Sequence, residues 1–459
     1  MRTRVFLLLL CLVSGCVLGP DPETAEPELP GGLGSLDPGS GNGFGDSPWR
    51  HLVKGRELRK LVDQALLENA DLKVAEARVR KARARAGMEA AQRLARLDGV
   101  GIGGVSRQSK EENPFPALVN PDRSPMGFAV EFAWEIDWWG RKKRGRQAAE
   151  FEVLAVEWDR AALQTEVAAA VVGETLVIQA LSLQLESMEQ IVELEAQSLA
   201  WVGKRVKRGE EGKDAYLEAE NRLARVKMEA EKYREDLNMA QRALAEWCGR
   251  GTVSVGSFRS ERELVSRGPS GDLRAGVVLR RPDVAASTAR YRQAVARIGI
   301  AEASRWPEVQ IVGASGQLSS SLSDLFGNGA STYGLGLDLR VPIFDGGEGR
   351  KRTEQAVAAA EDAHASHVGV VLRALREVGT SADRMQSARR VREEVEGVRR
   401  IVGEQLAIER RRVASGEVTG EALRRREIEQ ARAEVLWWDS RRRESVATVD
   451  LFRALGGGW

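Results

Sequence analysis

The stretch that most constrains this chain is Met126–Gly140, MGFAVEFAWEIDWWG. Phe128, Val130, Phe132, Trp134 and Ile136 alternate with Ala129, Glu131, Ala133, Glu135 and Asp137. A period of two over about ten residues predicts a β-strand with one apolar face and one wet face. About that length, tilted, crosses the hydrocarbon layer of a bilayer. The design returns from Tyr333 as YGLGLDLRVPIFDGG, with Leu335, Leu337, Leu339, Val341 and Ile343 in the apolar positions and Gly347 lying 207 positions after Gly140.

Each strand leads at once into a long helical pattern. From Arg141 to about Arg208 there is no Pro, and Leu181, Leu185, Met188, Val192, Leu199, Val202 and Val206 keep coiled-coil spacing. From Glu348 to Val413 the corresponding seam is Val371, Leu375, Val378, Ala382, Met385, Val391, Val395, Val398, Val402 and Leu406. At 1.5 Å per residue such helices are on the order of 100 Å long. Arg208-Gly209-Glu210 and Ser415-Gly416-Glu417 turn them back, and return helices run to Trp247 and Leu455 before Gly249 and Gly456.

The repetition extends upstream. Arg281-Pro282-Asp283-Val284 stands where Asn69-Ala70-Asp71-Leu72 stood, each opening a helix that precedes a strand, near Leu97 to Ser106 and Val309 to Gln317. Five segments follow. Residues 1–15 read as a lipoprotein signal peptide and 16–55 as a lipidated, extended tether. Residues 56–249 form a first unit (helix, β-hairpin 97–139, long helical hairpin) and 250–280 an irregular linker. Residues 281–459 form a second unit with its hairpin at 309–345. The fold class is mainly α with membrane β, a duplicated unit of long coiled helices plus a β-hairpin.

At the N-terminus Arg2 and Arg4 precede an apolar run from Val5 to Val13, of the length of a signal-peptide core. Val13-Ser14-Gly15-Cys16 resembles a bacterial lipobox, which makes Cys16 the lipidation site, and Val17 after it points to the outer membrane. Acyl chains contribute about 0.8 kcal/mol per buried methylene. Cys248 is then left without a partner, so no disulfide framework is expected. The 69 basic side chains nearly cancel the 67 acidic ones, and nothing recommends a nucleic-acid partner.

Four strands are too few for a membrane barrel, where about eight is the practical minimum. An unpaired edge in lipid leaves backbone groups unsatisfied at several kcal/mol each. Several chains must therefore share one barrel, with Glu131, Glu135, Asp137, Asp338 and Arg340 lining a wet lumen. Trp134, Trp138 and Trp139 suit the bilayer interface. The basic run Arg141–Arg146 opposes the helix macrodipole; lipid head groups or a solvated helix turn would account for it.

The chain resembles the TolC-like outer-membrane factors, in particular the lipidated branch working with RND-type efflux pumps. The resemblance rests on Cys16, Trp134–Arg141, Leu279–Val284, Ile298-Gly299 with Trp306-Pro307, and Val341–Gly347. It implies a homotrimer with a shared 12-strand barrel and an α-helical periplasmic tunnel, served by a periplasmic adaptor and an inner-membrane RND-type transporter. It places adaptor docking at Arg208, Gly209, Glu210, Ser415, Gly416 and Glu417. Family tips often carry an apolar residue after the Gly, where this chain has Glu210 and Glu417. A periplasmic gate is implied near Asp214, Glu218 and Glu421, with a solvated helix face as the alternative. The expected function is passive exit of substrates through an outer-membrane channel, with no catalysis and no cofactor beyond the lipid on Cys16. The other readings are a type I secretion duct, a periplasmic adaptor or a structural coiled-coil lipoprotein.

Two motifs carry less. Gly99–Gly104 fits G-x-G-x-x-G but follows a helix and sits in a strand, whereas a dinucleotide site needs strand, turn and helix in that order. His364 and His367 share a helix, and no third metal ligand accompanies them.

Overall fold

In the computed structural model the alternating stretch is strand β4, Met126–Ile136, the longest of the first copy. The structure describes residues 17–29, 49–107, 122–123, 126–253, 265, 275–327 and 329–457. Cys16, the signal segment and much of the first hairpin loop lie outside the described residues. So do half of the tether and most of the linker.

In chain order the elements are α1 (Trp49–Leu52), α2 (Arg56–Glu68), α3 (Ala70–Ala91), β1 (Arg96–Gly103), β2 (Ser106–Arg107), β3 (Asp122–Arg123) and β4. There follow α4 (Arg141–Lys207), α5 (Lys213–Trp247), a 3-10 turn (Ala275–Arg280), α6 (Pro282–Ala303), β5 (Glu308–Ser319), β6 (Ser331–Arg340), α7 (Glu348–Ala414) and α8 (Gly420–Ala454). Helices α4 and α7 each have 67 residues, and α5 and α8 each have 35. β6 ends at Arg340, short of Ile343, because Pro342 cannot donate to a ladder.

Packing groups the residues into two compact units that do not follow the sequence repeat. One comprises the N-terminal stretch to Glu28 with Val79–Val156 and Ser287–His367; the other comprises Leu29–Arg78, Glu157–Ala286 and Val368–Trp459. Each takes segments from both copies.

The first unit holds one antiparallel sheet in the order β1-β4-β5-β6. The two hairpins join through β4 and β5, with Phe132 opposite Gly313 and Glu135 opposite Gln310. The outer edges of β1 and β6 pair with nothing among the described residues.

In the second unit, α1 and α2 place Leu52, Val53, Leu58 and Val62 against Val167, Val171 and Val172 of α4, Leu244 of α5 and Phe452 of α8. Each such buried side chain stabilises the fold by roughly 1.5–3 kcal/mol. The tether expectation is corrected here, since Trp49 and Leu52 are core residues. Farther along, Met188, Ile191 and Leu194 of α4 pack on Val226 of α5 and Ile428 of α8. The seam of α7 fares differently. Val371 and Leu406 are buried, but Val391 and Val398 are exposed, as are Ile401 and Ile408 outside the seam. Nothing among the described residues covers them.

Candidate functional site

Ladder register sorts the sheet into two faces, because directly opposed residues point the same way. Asp98 stands opposite Glu131, Glu135 opposite Gln310, Gln310 opposite Asp338, and Glu308 opposite Arg340. All lie on one face with Ala129, Ala133 and Gly336. The other face carries Leu97, Phe128, Val130, Phe132, Trp134, Ile136, Val309, Ile311, Tyr333, Leu335, Leu337 and Leu339. Glu131, Glu135, Asp338 and Arg340 are thereby brought onto one wall. On the apolar face Leu335, Leu337 and Leu339 are exposed, and Leu335 is 81% exposed. Monomeric soluble proteins rarely expose such a stripe, which marks a protein or membrane contact.

Asp137 is a correction. It lies past the end of β4, and its Oδ1 and Oδ2 accept the backbone N–H groups of Lys142 (3.0 Å) and Lys143 (2.8 Å). It caps α4 rather than lining the wall, and it places negative charge where the macrodipole favours it. Asp345 does the same for α7, taking the N–H groups of Gly349 and Gly347 at 2.8 Å each. Those two backbone bonds hold its carboxyl below the ordinary carboxylate range.

Much of the basic run is used within the protein, while Lys143 and Arg146 stay exposed. Arg141 pairs with Glu135 (2.7 Å) and Glu308 (3.2 Å), and Lys142 pairs with Glu135 (3.0 Å). Burial works against the Arg141 charge, but the hydrogen bond it donates to Glu135 and the Glu135, Glu308 and Asp137 charges outweigh it and raise its pKa. Arg144 is buried. It donates to the carbonyls of Leu18 (3.3 Å) and Gly19 (3.2 Å), to Asp21 (3.2 Å) and to Gln147 (2.9 Å).

Arg144 therefore grips the N-terminal stretch. The Leu18 N–H donates to the Trp139 carbonyl at 3.1 Å. Gly140 has φ +74°, and a Cβ there would lie 2.8 Å from Val17 Cγ1. Gln147 holds Glu23 (2.8 Å), Arg292 holds the Ala25 carbonyl (3.1 Å), and His364 Nε2 lies 2.9 Å from the Glu28 carbonyl. The segment after Cys16 is docked, not merely wrapped.

The three tryptophans separate. Trp134 is exposed on the apolar face and donates to the Arg93 carbonyl at 3.1 Å. Trp138 is half-buried. Trp139 stacks on Trp306 with centroids 4.7 Å apart and donates to the Pro307 carbonyl at 2.8 Å, so its indole is spent inside the protein.

Both helical turns share one geometry. Gly209 and Gly416 sit at φ +76° and +80°, and the Glu210 and Glu417 N–H groups reach back to the Arg205 (3.0 Å) and Arg412 (2.9 Å) carbonyls. The Glu210 carboxylate lies 3.3 Å from Arg205 Nε, and that of Glu417 lies 3.6 Å from Arg412 Nε. Arg412 follows Arg205 by 207 positions, as Glu417 follows Glu210. An ion pair thus stands where an apolar contact often closes such turns. Ser415 Oγ donates to Glu417 (2.8 Å), while Arg208 is exposed and 3.9 Å from Glu210.

The three gate carboxylates are not equivalent. Asp214 and Glu218 are exposed on α5. Glu421 is buried, accepts two hydrogen bonds from Arg424 (3.1 and 2.8 Å) and one from Ser198 Oγ (3.3 Å). Arg424 and Arg205 lie over the Trp201 ring at 5.8 and 4.7 Å. Sequence reasoning missed this cluster of Ser198, Trp201, Arg205, Glu421 and Arg424, which ties α4 to α8. Glu421 was named from the sequence, and the local spacings Trp201/Arg205 and Glu421/Arg424 are the signals that could have led to the rest.

His367 is buried beside Ser287, Nδ1 to Oγ 2.8 Å, and His364 holds the tether, so each imidazole has a partner. Among the described residues no group of three or more metal-ligating side chains exists.

The chain matches the family described as "Outer membrane efflux protein" over residues 61–250 and 276–457. It is 27% identical over 458 residues to outer membrane protein OprJ of Pseudomonas aeruginosa PAO1, covering 99% of this chain and 95% of that one. It is 23% identical over 467 residues to the cation efflux system protein CusC of Escherichia coli O6:H1, covering 97% and 96%. A solved membrane protein from Pseudomonas aeruginosa superposes with TM-score 0.81 at 26% identity, over 97% of this chain and 98% of that one. With its wet wall, apolar outer face and duplicated helical hairpins, this chain belongs to the outer membrane efflux protein family.

Proposed function

We propose that three copies of this outer-membrane efflux channel subunit close one twelve-stranded barrel and prolong its bore with their long helices. The observation that carries this reading is the two-faced sheet with both edges unpaired. Lipid tolerates its apolar face but not its edges, and closure across copies satisfies both. The exposed α7 residues Val391, Val398, Ile401 and Ile408 supply a second surface for a neighbouring copy.

Substrates leave passively. Glu135 is neutralised by Arg141 and Lys142, but Glu131 and Asp338 line the bore near Arg340, and their carboxylate rings favour cations over anions. An acylated Cys16 would anchor each copy, two residues before Leu18, whose N–H bonds the Trp139 carbonyl. The tips at Gly209 and Gly416 dock a periplasmic adaptor that links the duct to an RND-type transporter. Glu421, held by Arg424 and Ser198, contributes to a closed resting state in place of Asp214 and Glu218. The relatives' names, a cation efflux protein among them, support the pump context.

Native mass spectrometry in detergent, followed by planar-bilayer recording, tests this. The expected result is a trimer with a small, cation-preferring conductance. A folded monomer without conductance would overturn it.

A further inference from the structure

The duplication carries information about a contact that no single copy contains. β5 starts at Glu308, 212 positions after Arg96 where β1 starts, and Arg281 follows Asn69 by the same offset. β6 and the helix after it follow β4 and α4 by 207, as Gly347 follows Gly140. Inside the chain β4 of the first copy pairs with β5 of the second: Trp134 opposite Ile311, Ala133 opposite Val312, Phe132 opposite Gly313 and Val130 opposite Ser315.

We infer that β6 of one subunit pairs antiparallel with β1 of the next in the register this internal junction dictates, with Leu337 opposite Gly103, Leu339 opposite Gly101, Arg340 opposite Val100 and Val341 opposite Gly99. The inference rests on the shared-barrel reading above and adds the residue-by-residue match. The offsets convert Phe132 into Leu339 and Gly313 into Gly101, so a bulky side chain again faces glycine. Parity is kept: the leucines fall on the apolar face and Arg340 on the wet one.

An independent observation agrees. Within the chain Gly313 is crowded, since a Cβ there would lie 3.2 Å from Leu335 Cδ1. A Cβ at Gly99, Gly101 or Gly103 would meet nothing within 4 Å. Their lack of a side chain is not required by their own subunit. In this register each lies under Val341, Leu339 or Leu337 of the neighbour, all exposed in the single chain. The same alignment sets Ile343, 95% exposed, against Leu97, 68% exposed.

Paired cysteines test it in the full chain in outer membranes. Leu339→Cys with Gly101→Cys, and Arg340→Cys with Val100→Cys, occupy successive ladder positions. Cα separations in such ladders alternate between about 4.5 and about 5.5 Å, both within disulfide reach. Two controls, Leu339→Cys with Gly99→Cys or with Gly103→Cys, are displaced by two residues. Mild oxidation and a non-reducing gel should give covalent dimers and trimers from at least one matched pair, about tenfold more than from either control. Stronger crosslinking in a control, or a bond closed within one chain, would overturn the register. Native mass spectrometry of the same reduced samples separates the two ideas. Trimers without matched crosslinks defeat the register alone, whereas monomers defeat the shared barrel as well. A second measurement avoids cysteine: Gly101→Leu should weaken the trimer to heat, and adding Leu339→Gly should restore it. No rescue in a folded double variant counts against the match.

Discussion

Arg281 donates through Nη1 to the carbonyl of Ala454 at 2.7 Å. Asn69 Nδ2 donates in the same way to the carbonyl of Trp247 at 3.0 Å. Arg281 stands in the second copy where Asn69 stands in the first, and Ala454 where Trp247 stands. Each start of a pre-strand helix thus satisfies a backbone carbonyl at the end of its own copy's return helix. The chemistry differs: the buried Arg281 also pairs with Asp283 and Glu377 at 2.8 Å each.

Arg281→Ala therefore removes a donor from a buried carbonyl and leaves two half-exposed carboxylates that water can reach. A loss of about 2 kcal/mol is expected, against about 1 kcal/mol for Asn69→Ala, which loses a neutral bond and a cap. Chemical unfolding of the purified protein in detergent measures both, and a neutral Arg281→Ala would show the bond to be incidental.

Gly140→Ala should release the N-terminal stretch. Its left-handed backbone costs a non-glycine residue about 1–2 kcal/mol, and the new methyl would strike Val17 at 2.8 Å. Faster proteolysis within residues 17–29, with the rest of the chain resistant, is the expected readout. Unchanged protection would mean that Arg144 and Gln147 hold the segment unaided.

His367 is buried, and burial first, with the nearby His364 second, pushes its pKa below the usual imidazole value. The unfolded chain then binds the extra proton more readily. Stability is full above about pH 6.5 and declines as pH falls below it, by at most about 1.4 kcal/mol per pH unit for this one group. Comparing unfolding midpoints of wild type and His367→Gln between pH 7.5 and 5 isolates the effect. Parallel curves would contradict it.

Cys248 is buried, and burial lifts its thiol pKa to about 11. Three units below that value only about a thousandth is thiolate. Maleimide at pH 8 should leave the folded protein unlabelled at this position and label it on unfolding. Rapid labelling of the native trimer would show the site to be open.

Legibility from sequence followed the range of the interactions. Strand alternation is a local property, and the two-faced wall was readable from Phe128 to Ile136 without coordinates. The 207-residue offset between Gly140 and Gly347 exposed the duplication for the same reason. What escaped was the destination of charged side chains. Asp137 continued the alternation on paper, but the chain turns at Trp138 and the carboxylate caps α4. Arg141 and Arg144 read as part of a surface run because Glu308 and Asp21, over 120 positions from them, are invisible to a local pattern. The Glu421 cluster joins α4 to α8 across copies, a juxtaposition only the fold creates. The α7 seam read as apolar from its spacing, yet Val391 and Val398 within it are left exposed.

The central claim concerns which side of the sheet meets water. Its most direct test is thiol accessibility in an open planar-bilayer channel, with single cysteines at Glu131 and Asp338 on the wet wall and at Phe132 and Leu337 on the other face. A charged, membrane-impermeant thiosulfonate should cut the current through Glu131→Cys and Asp338→Cys and leave Phe132→Cys and Leu337→Cys unchanged. Current block at Phe132→Cys or Leu337→Cys, with none at Glu131→Cys or Asp338→Cys, would contradict the claim.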